Sequence, residues 1–374
     1  MAGEFTRLIN SRASLIGIAI GAAYGLFARL VVTMKVGVEL LPEMTLAFLL
    51  LVPIGIGILT VAQSDNRSFG YRFFAPWAPM SLTLAATAVL GWEGAICIYL
   101  AIPVVFPLSS IGGLIGGMFR RRTFAAQSVI LAAPFILGPI EGRVANPEKI
   151  VVTTQQILID APPSIVWPLV ASVDSIKPEE QRPALFLSMG FPRPISATLN
   201  RPGVGGIRRA RFARGLVFTE TVIVWIPDRV LSFTIEPNTD SIPATTLDEH
   251  VTIGGPYFDV LTGTYELEPV ERGRKTLLTL QSRHRVSTHF NIYAGWWAER
   301  IMTSIQRNIL LVHKQRAERI EARLVSRCSL LDTRFSRSLR ATRYAPEPAC
   351  REKRVASAKG EQREASSGLY LIDQ

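Results

Sequence analysis

Cysteine is scarce in this chain, with three in 374 residues: Cys97 inside an apolar run, Cys328 and Cys350 in or near the C-terminal tail. No disulfide framework can be drawn from them. There is no CxxC pair and no Cys/His spacing of the zinc-binding kind, so neither a metal nor a cofactor is expected. The nucleophile elbow GxSxG is also missing, although Ser287 and His289 lie close to His284. The stretch GVGG at 203–206 lacks the strand–GxGxxG–helix context and the P-loop lysine. It reads as a hairpin turn after Pro202, which leaves no nucleotide loop. The net charge of +11 comes without a helix-turn-helix, zinc-finger or RNA-binding signature, so nucleic acid is not an expected partner.

Charge is nearly absent from long parts of the first 140 residues, and that absence divides the chain. Residues 13–33 are apolar apart from Arg29 and long enough to span a bilayer. Further runs lie at 44–62, 76–91, 95–118 and 124–140, the middle two separated by Gly91-Trp92-Glu93-Gly94. Residues 1–143 are therefore expected to be a membrane domain with about five transmembrane helices. Arg7, Arg12, Arg67, Arg72 and Arg120 to Arg122 all fall on one side if 76–118 crosses twice. The positive-inside rule then puts the N-terminus in the cytoplasm and the rest of the chain on the outer, periplasmic or extracellular, face. The weak step is 124–140, whose 17 residues rise only about 25 Å as a helix; if that run does not span, the soluble part is cytoplasmic. Arg29 and Glu93 read as a snorkelling side chain and a turn residue before they read as a transport path. Small residues in SSIGGLIGG (109–117) suit close helix packing.

After a linker the pattern changes. VVTTQQILID (151–160) reads as a strand, and Ala161-Pro162-Pro163 opens a helix with Ile165, Val166, Trp167, Leu169 and Val170. A second short helix is expected from about Lys177 to Met189. Strand-forming runs follow at 207–213, 216–226, 229–235, 247–253, 258–270 and 275–286, with a short one at 195–199, separated by turn residues such as Arg214-Gly215 and Pro227-Asp228. Residues 290–323 close the meander as one long helix. Phe290, Tyr293, Trp297, Ile301, Ile305, Ile309 and Val312 recur along one of its faces. The antiparallel sheet needs a cover for one face, and this stripe supplies it.

Ile159-Asp160-Ala161-Pro162-Pro163 with Val166-Trp167, Phe218-Thr219-Glu220-Thr221-Val222 with Trp225-Ile226-Pro227-Asp228-Arg229, Gly263-Thr264-Tyr265-Glu266-Leu267, and the WW-containing last helix stand in a telling order. Through them the chain from about 150 to 323 resembles the START-like superfamily, also called SRPBCC or polyketide cyclase/dehydrase-like. The resemblance implies an α+β helix-grip fold: a curved antiparallel sheet wrapped around a long C-terminal helix, with an apolar cavity between them that takes a lipid, hormone or polyketide. It implies nothing about the preceding α-helical membrane domain. The tail, 326–374, is basic and reads as disordered.

Strand alternation nominates the site. Leu278, Leu280, Ser282, His284 and Val286 share one face, as do Gly263, Tyr265 and Leu267. With Trp167 from the first helix and Phe290, Tyr293, Trp297 and Ile301 from the last, Tyr265, Leu278, Leu280 and His284 are the expected cavity lining. His284, Tyr265 and Glu220 are the candidate catalytic groups. Glu220 faces either solvent or the cavity; facing inward it needs a cationic partner, with Arg209 or Arg211 on the adjoining strand as candidates. Asp248-Glu249-His250 cannot converge, because strand neighbours point to opposite sides. Three functions are open: a membrane-anchored module binding or transferring a lipid or other hydrophobic small molecule, a cyclase-, dehydrase- or hydrolase-type enzyme on an apolar substrate, and a membrane scaffold or sensor without catalysis. The expected partners are the lipid bilayer and a hydrophobic ligand.

Overall fold

The computed structural model describes residues 12–33, 45–64, 68–118, 124–238 and 253–338. The described residues up to Glu141 form a helical bundle. Helix α1 covers Arg12–Thr33; α2 is Val52–Ala62, continuing a π-helical turn at Ala47–Leu51; α3 is Phe69–Phe74; α4 is Trp77–Val89; α5 is Ala95–Gly116; α6 is Phe124–Glu141. Among the described residues two helices, Arg12–Val32 and Ala95–Gly116, are long and apolar enough to cross a membrane. Helices α2 and α5 pack backbone against backbone. A Cβ on Gly112 would lie 2.1 Å from the Ile54 carbonyl oxygen, and one on Gly57 2.0 Å from that of Ser109. Only glycine permits such an approach.

The bundle has two distinct ends. At one, Tyr71 Oη donates to Ser14 Oγ (2.9 Å) and Ser110 Oγ donates to the Phe73 carbonyl (2.8 Å). At the other, Glu141 accepts from the backbone N–H groups of Leu46 (2.6 Å) and Ala47 (3.0 Å), and so caps the start of the second helical segment. Arg29 pairs there with Glu93 (2.7 Å) and donates to the Trp92 carbonyl (2.6 Å). Arg29 and Glu93 thus satisfy each other.

The remainder is one seven-stranded antiparallel sheet with a long helix across it. The strands are β1 Glu148–Ile159, β2 Pro194–Leu199, β3 Ile207–Phe212, β4 Val217–Ile226, β5 Val230–Asn238, β6 Phe258–Val270 and β7 Lys275–Ser287, ordered β1-β7-β6-β5-β4-β3-β2. Helices α7 (Pro163–Ala171) and α8 (Leu185–Ser188) connect β1 to β2, and α9 runs from Asn291 to Ser338. This is the helix-grip arrangement. Proline breaks the expected helix at 177–189: a 3-10 turn, Pro178–Glu180, and α8 flank Pro183, whose ring disfavours helical geometry in the residue before it. The strand expected at 247–253 and the triplet Asp248-Glu249-His250 lie outside the described residues, apart from Ile253, which bridges to Phe258. Of the expected tail, 326–338 continues α9, and 339–374 lies outside the described residues.

The core under α9 has two parts. One gathers Ile159, Val166, Trp167, Leu231, Leu267, Leu278 and the later α9 residues Leu310, Ala317 and Leu324. The other gathers Phe186, Met189, Leu216, Phe218 and Val260 with Met302 and Ile305, and includes Ile96 of α5. The sequence becomes charged beyond about Val312, which predicts that the helix projects past the sheet there. It does not, since Ala317 and Leu324 are buried, Lys314 Nζ donates to the Leu158 carbonyl (2.7 Å), and Arg316 pairs with Glu180 (2.6 Å). Small and apolar residues at the inward positions keep the charged flanks free to bond along the rim.

Candidate functional site

A cavity of about 150 Å³ lies between the sheet and the middle of α9. Its walls come mainly from apolar inward positions of β2 to β6 and from Ile301, Met302, Ile305, Ile309 and Val312 on α9. The polar exceptions are few: Arg208, Glu220, Tyr265, Ser196, Ser282, Gln306 and His313.

Arg208 and Glu220 form a buried ion pair through Arg208 Nη1 and Glu220 Oε2. They are Cα partners in the β3–β4 register, and directly opposed residues share a sheet face. Turn residues Arg214 and Gly215 take left-handed φ values of 63° and 84° and hold that register. The Arg208 guanidinium also lies 5.3 Å from the centre of the Phe233 ring and reaches the Val170 carbonyl at 3.5 Å. Phe233 can lie there because its register partner is Gly263: a Cβ on that glycine would come within 2.7 Å of the ring.

Burial raises the Glu220 carboxyl above the usual carboxylate range, and the Arg208 charge pulls it part of the way back. Burial also acts against the Arg208 charge, but Glu220 and Tyr265 outweigh it and the net shift is upward. The Tyr265 phenol is pushed up to about 12, chiefly by burial. His313 stands edge-on to Tyr265, ring centres 5.8 Å apart. Burial lowers its pKa to about 3, helped by the charges of Arg208 and Arg316, so the imidazole is neutral at ordinary pH. Neither of its ring nitrogens has a hydrogen-bond partner among the described residues. Gln306 donates through Nε2 to the Thr153 carbonyl (3.0 Å) and Ser282 Oγ (2.9 Å), which pins α9 to β1 and β7, and its Oε1 is left unpaired. A pocket whose two charges pair with each other, with donors and acceptors at its polar end, can hold a hydroxyl or carbonyl group.

The expected site residues divide. Glu220, Tyr265, Leu280 and Ile301 line this cavity. Trp167 does not: it packs in the neighbouring core edge-on to Trp225, ring centres 5.0 Å apart. Leu278 belongs to the same packed core. His284 is fully buried and inward, but it lies behind the lining residue Phe258 (ring centres 5.7 Å apart) and does not line the cavity itself, with its pKa lowered to about 4 by burial. Phe290, Tyr293 and Trp297 line a separate cavity of about 340 Å³, because the first turns of α9 lie between the sheet and the helical bundle and put these side chains against residues of both. The partner of Glu220 is neither Arg209 nor Arg211; both are exposed on the outer face. Arg208, Gln306 and His313 were missed. Each left a signal: Arg208 by register, and the other two by standing on the apolar stripe, four residues after Met302 and Ile309.

No family model matches the chain, and no curated protein matches it. Solved structures are similar in part. A START superfamily protein from Mycobacterium smegmatis is 10% identical, the match covering 45% of this chain and 98% of that one with a TM-score of 0.31. The Zhui aromatase/cyclase from Streptomyces sp. R1128 is 15% identical, the match covering 46% of this chain and 95% of that one with a TM-score of 0.28.

Proposed function

We propose that this chain is a membrane-anchored module that binds, between its sheet and α9, an apolar small molecule carrying an uncharged polar group. One observation carries the reading. Among the described residues the cavity is apolar except at an end where its charged groups, Arg208 and Glu220, already neutralise each other, and where Gln306 Oε1 and both His313 nitrogens have no hydrogen-bond partner. A charged ligand would find no free counter-charge there, whereas a hydroxyl or carbonyl would find hydrogen bonds. Anchoring is supported by the two long apolar helices and by the shorter apolar helices Ala47–Ala62 and Ser128–Glu141. In this reading residues 1–143 span the bilayer, the N-terminus is cytoplasmic, and the helix-grip domain sits on the outer face.

Native mass spectrometry of the full chain, purified with its native lipids, tests the ligand. An apolar molecule should co-purify with the wild type and be lost from Ala210→Trp, which fills the cavity. A wild type that carries no such molecule and takes up none in titration overturns the reading. A C-terminal reporter active only outside the inner leaflet tests the orientation. A second reading, acid–base chemistry on the bound molecule, rests on neutral His313 facing Tyr265 inside the cavity. If it holds, His313→Leu retains the ligand unaltered, while the wild type releases a product of different mass.

A further inference from the structure

The second cavity, of about 340 Å³, lies between the helical bundle and the helix-grip domain. Its bundle side includes Val32 of α1, Phe48 and Val52 at the start of the second helical segment, and Cys97 and Ala101 of α5. Its other side is the first turns of α9, with Tyr293, Ala294, Trp297 and Ala298, closed at the rim by the bond from Tyr293 Oη to the Leu100 carbonyl.

Four residues, Phe191, Ile253, Phe258 and Ile301, line both cavities. The two spaces therefore share one wall, and that wall is made of apolar side chains. Rotamer changes of Phe258 and Ile301 would open it without moving backbone. Size argues that it opens. A dry apolar cavity of about 150 Å³ is filled by a molecule the size of benzene, so the inner cavity alone accepts little more than one ring or a short chain. The outer cavity is more than twice as large and is lined mainly by apolar side chains; its charged groups, Arg29 and Glu93, already pair with each other, and Thr45, Thr83, Thr87 and Thr288 are its other small polar residues.

Resting on the binding function proposed above, the geometry points to a ligand that occupies both cavities: a long-chain or polyisoprenoid lipid alcohol, or a carbonyl equivalent. Its uncharged head lies at Tyr265, Gln306 and His313, and its chain passes Phe258 and Ile301 to end between α9 and the bundle. The outer cavity is then a chain-binding site and the route by which a lipid leaves the bilayer for the sheet. Each methylene moved from water into such a site tightens binding about fourfold, so the outer cavity would supply most of the affinity.

Photolabelling of the full chain in phosphatidylcholine nanodiscs tests this with two twelve-carbon primary alcohols, one carrying a diazirine beside the hydroxyl and one at the far end of the chain. The head-proximal probe should mark α9 near Gln306 and His313. The chain-end probe should mark the outer cavity, on peptides holding Cys97 to Ala101 or Phe48 to Val52. Ala298→Phe, which narrows the outer cavity alone, should cut chain-end labelling there about tenfold. Head labelling at Gln306 with chain-end labelling confined to the inner cavity, or to outward residues such as Leu15 and Val129, overturns this inference and leaves the binding function standing. Labelling of neither cavity by either probe overturns both.

Discussion

Arg208 and Glu220 face each other at one register position of the β3–β4 pair, both inside the protein. Two charges removed from water hold each other in place, and neither is tolerable alone. Arg208→Met should therefore destabilise the protein by about 3–5 kcal/mol, and the double change Arg208→Met/Glu220→Leu should recover most of that. Thermal unfolding of the full chain in one fixed detergent reads both. The deficit of the single variant should also depend on pH. Without the arginine, burial acts on Glu220 unopposed and raises its pKa further, so the folded state takes up a proton that the unfolded state does not. The deficit of Arg208→Met should shrink as pH falls and grow as pH rises. A deficit independent of pH would show that Glu220 reaches water.

The histidines predict the opposite slope in the wild type. His284 and His313 have pKa values lowered to about 4 and about 3 from 6.5. Below 6.5 the unfolded chain binds protons that the folded chain refuses, so stability is complete above 6.5 and falls as pH drops toward each folded value. Each fully refused proton contributes about 1.4 kcal/mol per pH unit in that window. His284→Phe and His313→Leu should each flatten the melting-temperature profile between pH 6 and about 4. An unchanged slope in both would mean that these rings are protonated in the native protein.

Gly263 and Phe233 make a third case. A methyl group on Gly263 would meet the Phe233 ring at 2.7 Å, and that ring supports the Arg208 guanidinium. Gly263→Ala should destabilise by roughly 1–3 kcal/mol through overpacking. Adding Phe233→Leu should relieve the clash and restore much of the loss. Equal destabilisation with and without the second change would place the defect in the β6 backbone and not at the ring.

Much of this was legible in the chain itself. Alternation put Leu280, Ser282 and His284 on one face of β7, and all three are buried. It also offered an inward Glu220. What it lacked was a count from the turn. Residues paired across the Arg214-Gly215 turn run 211 with 217 and 210 with 218, so 208 falls opposite 220, and Arg209 and Arg211, one step off, face outward. Alternation assigns a face but not a depth along the strand. His284 and Tyr265 were therefore equivalent candidates, although one packs against Phe258 and the other meets the cavity. The first turns of α9 went astray for another reason. An apolar stripe says that a surface is covered, not which one, and Phe290 to Trp297 turn toward the helical bundle. A cavity shared by two halves of a chain leaves no periodicity in either.

The bundle itself rests on a contact that one methyl group can test. The Ile54 carbonyl approaches Gly112 so closely that an alanine Cβ would sit 2.1 Å from it, far inside any real contact, whereas a Cβ on Gly70 of α3 would meet nothing within 4 Å. Both residues are helical, so Gly→Ala gains intrinsic helix propensity of up to about 1 kcal/mol at either place. Any difference between the two variants therefore isolates the approach of α2 to α5. Gly70→Ala should leave the full chain as stable as the wild type or slightly more so. Gly112→Ala must push the helices apart, losing the close packing that small residues permit at that crossing. It should lower the temperature at which the detergent-solubilised chain loses its monodisperse form, by an amount matching roughly 1–3 kcal/mol. Because α5 also carries Cys97 and Ala101 of the outer cavity, the same variant should loosen that cavity and weaken chain-end photolabelling, while head-proximal labelling at Gln306, which depends on the sheet and α9, persists.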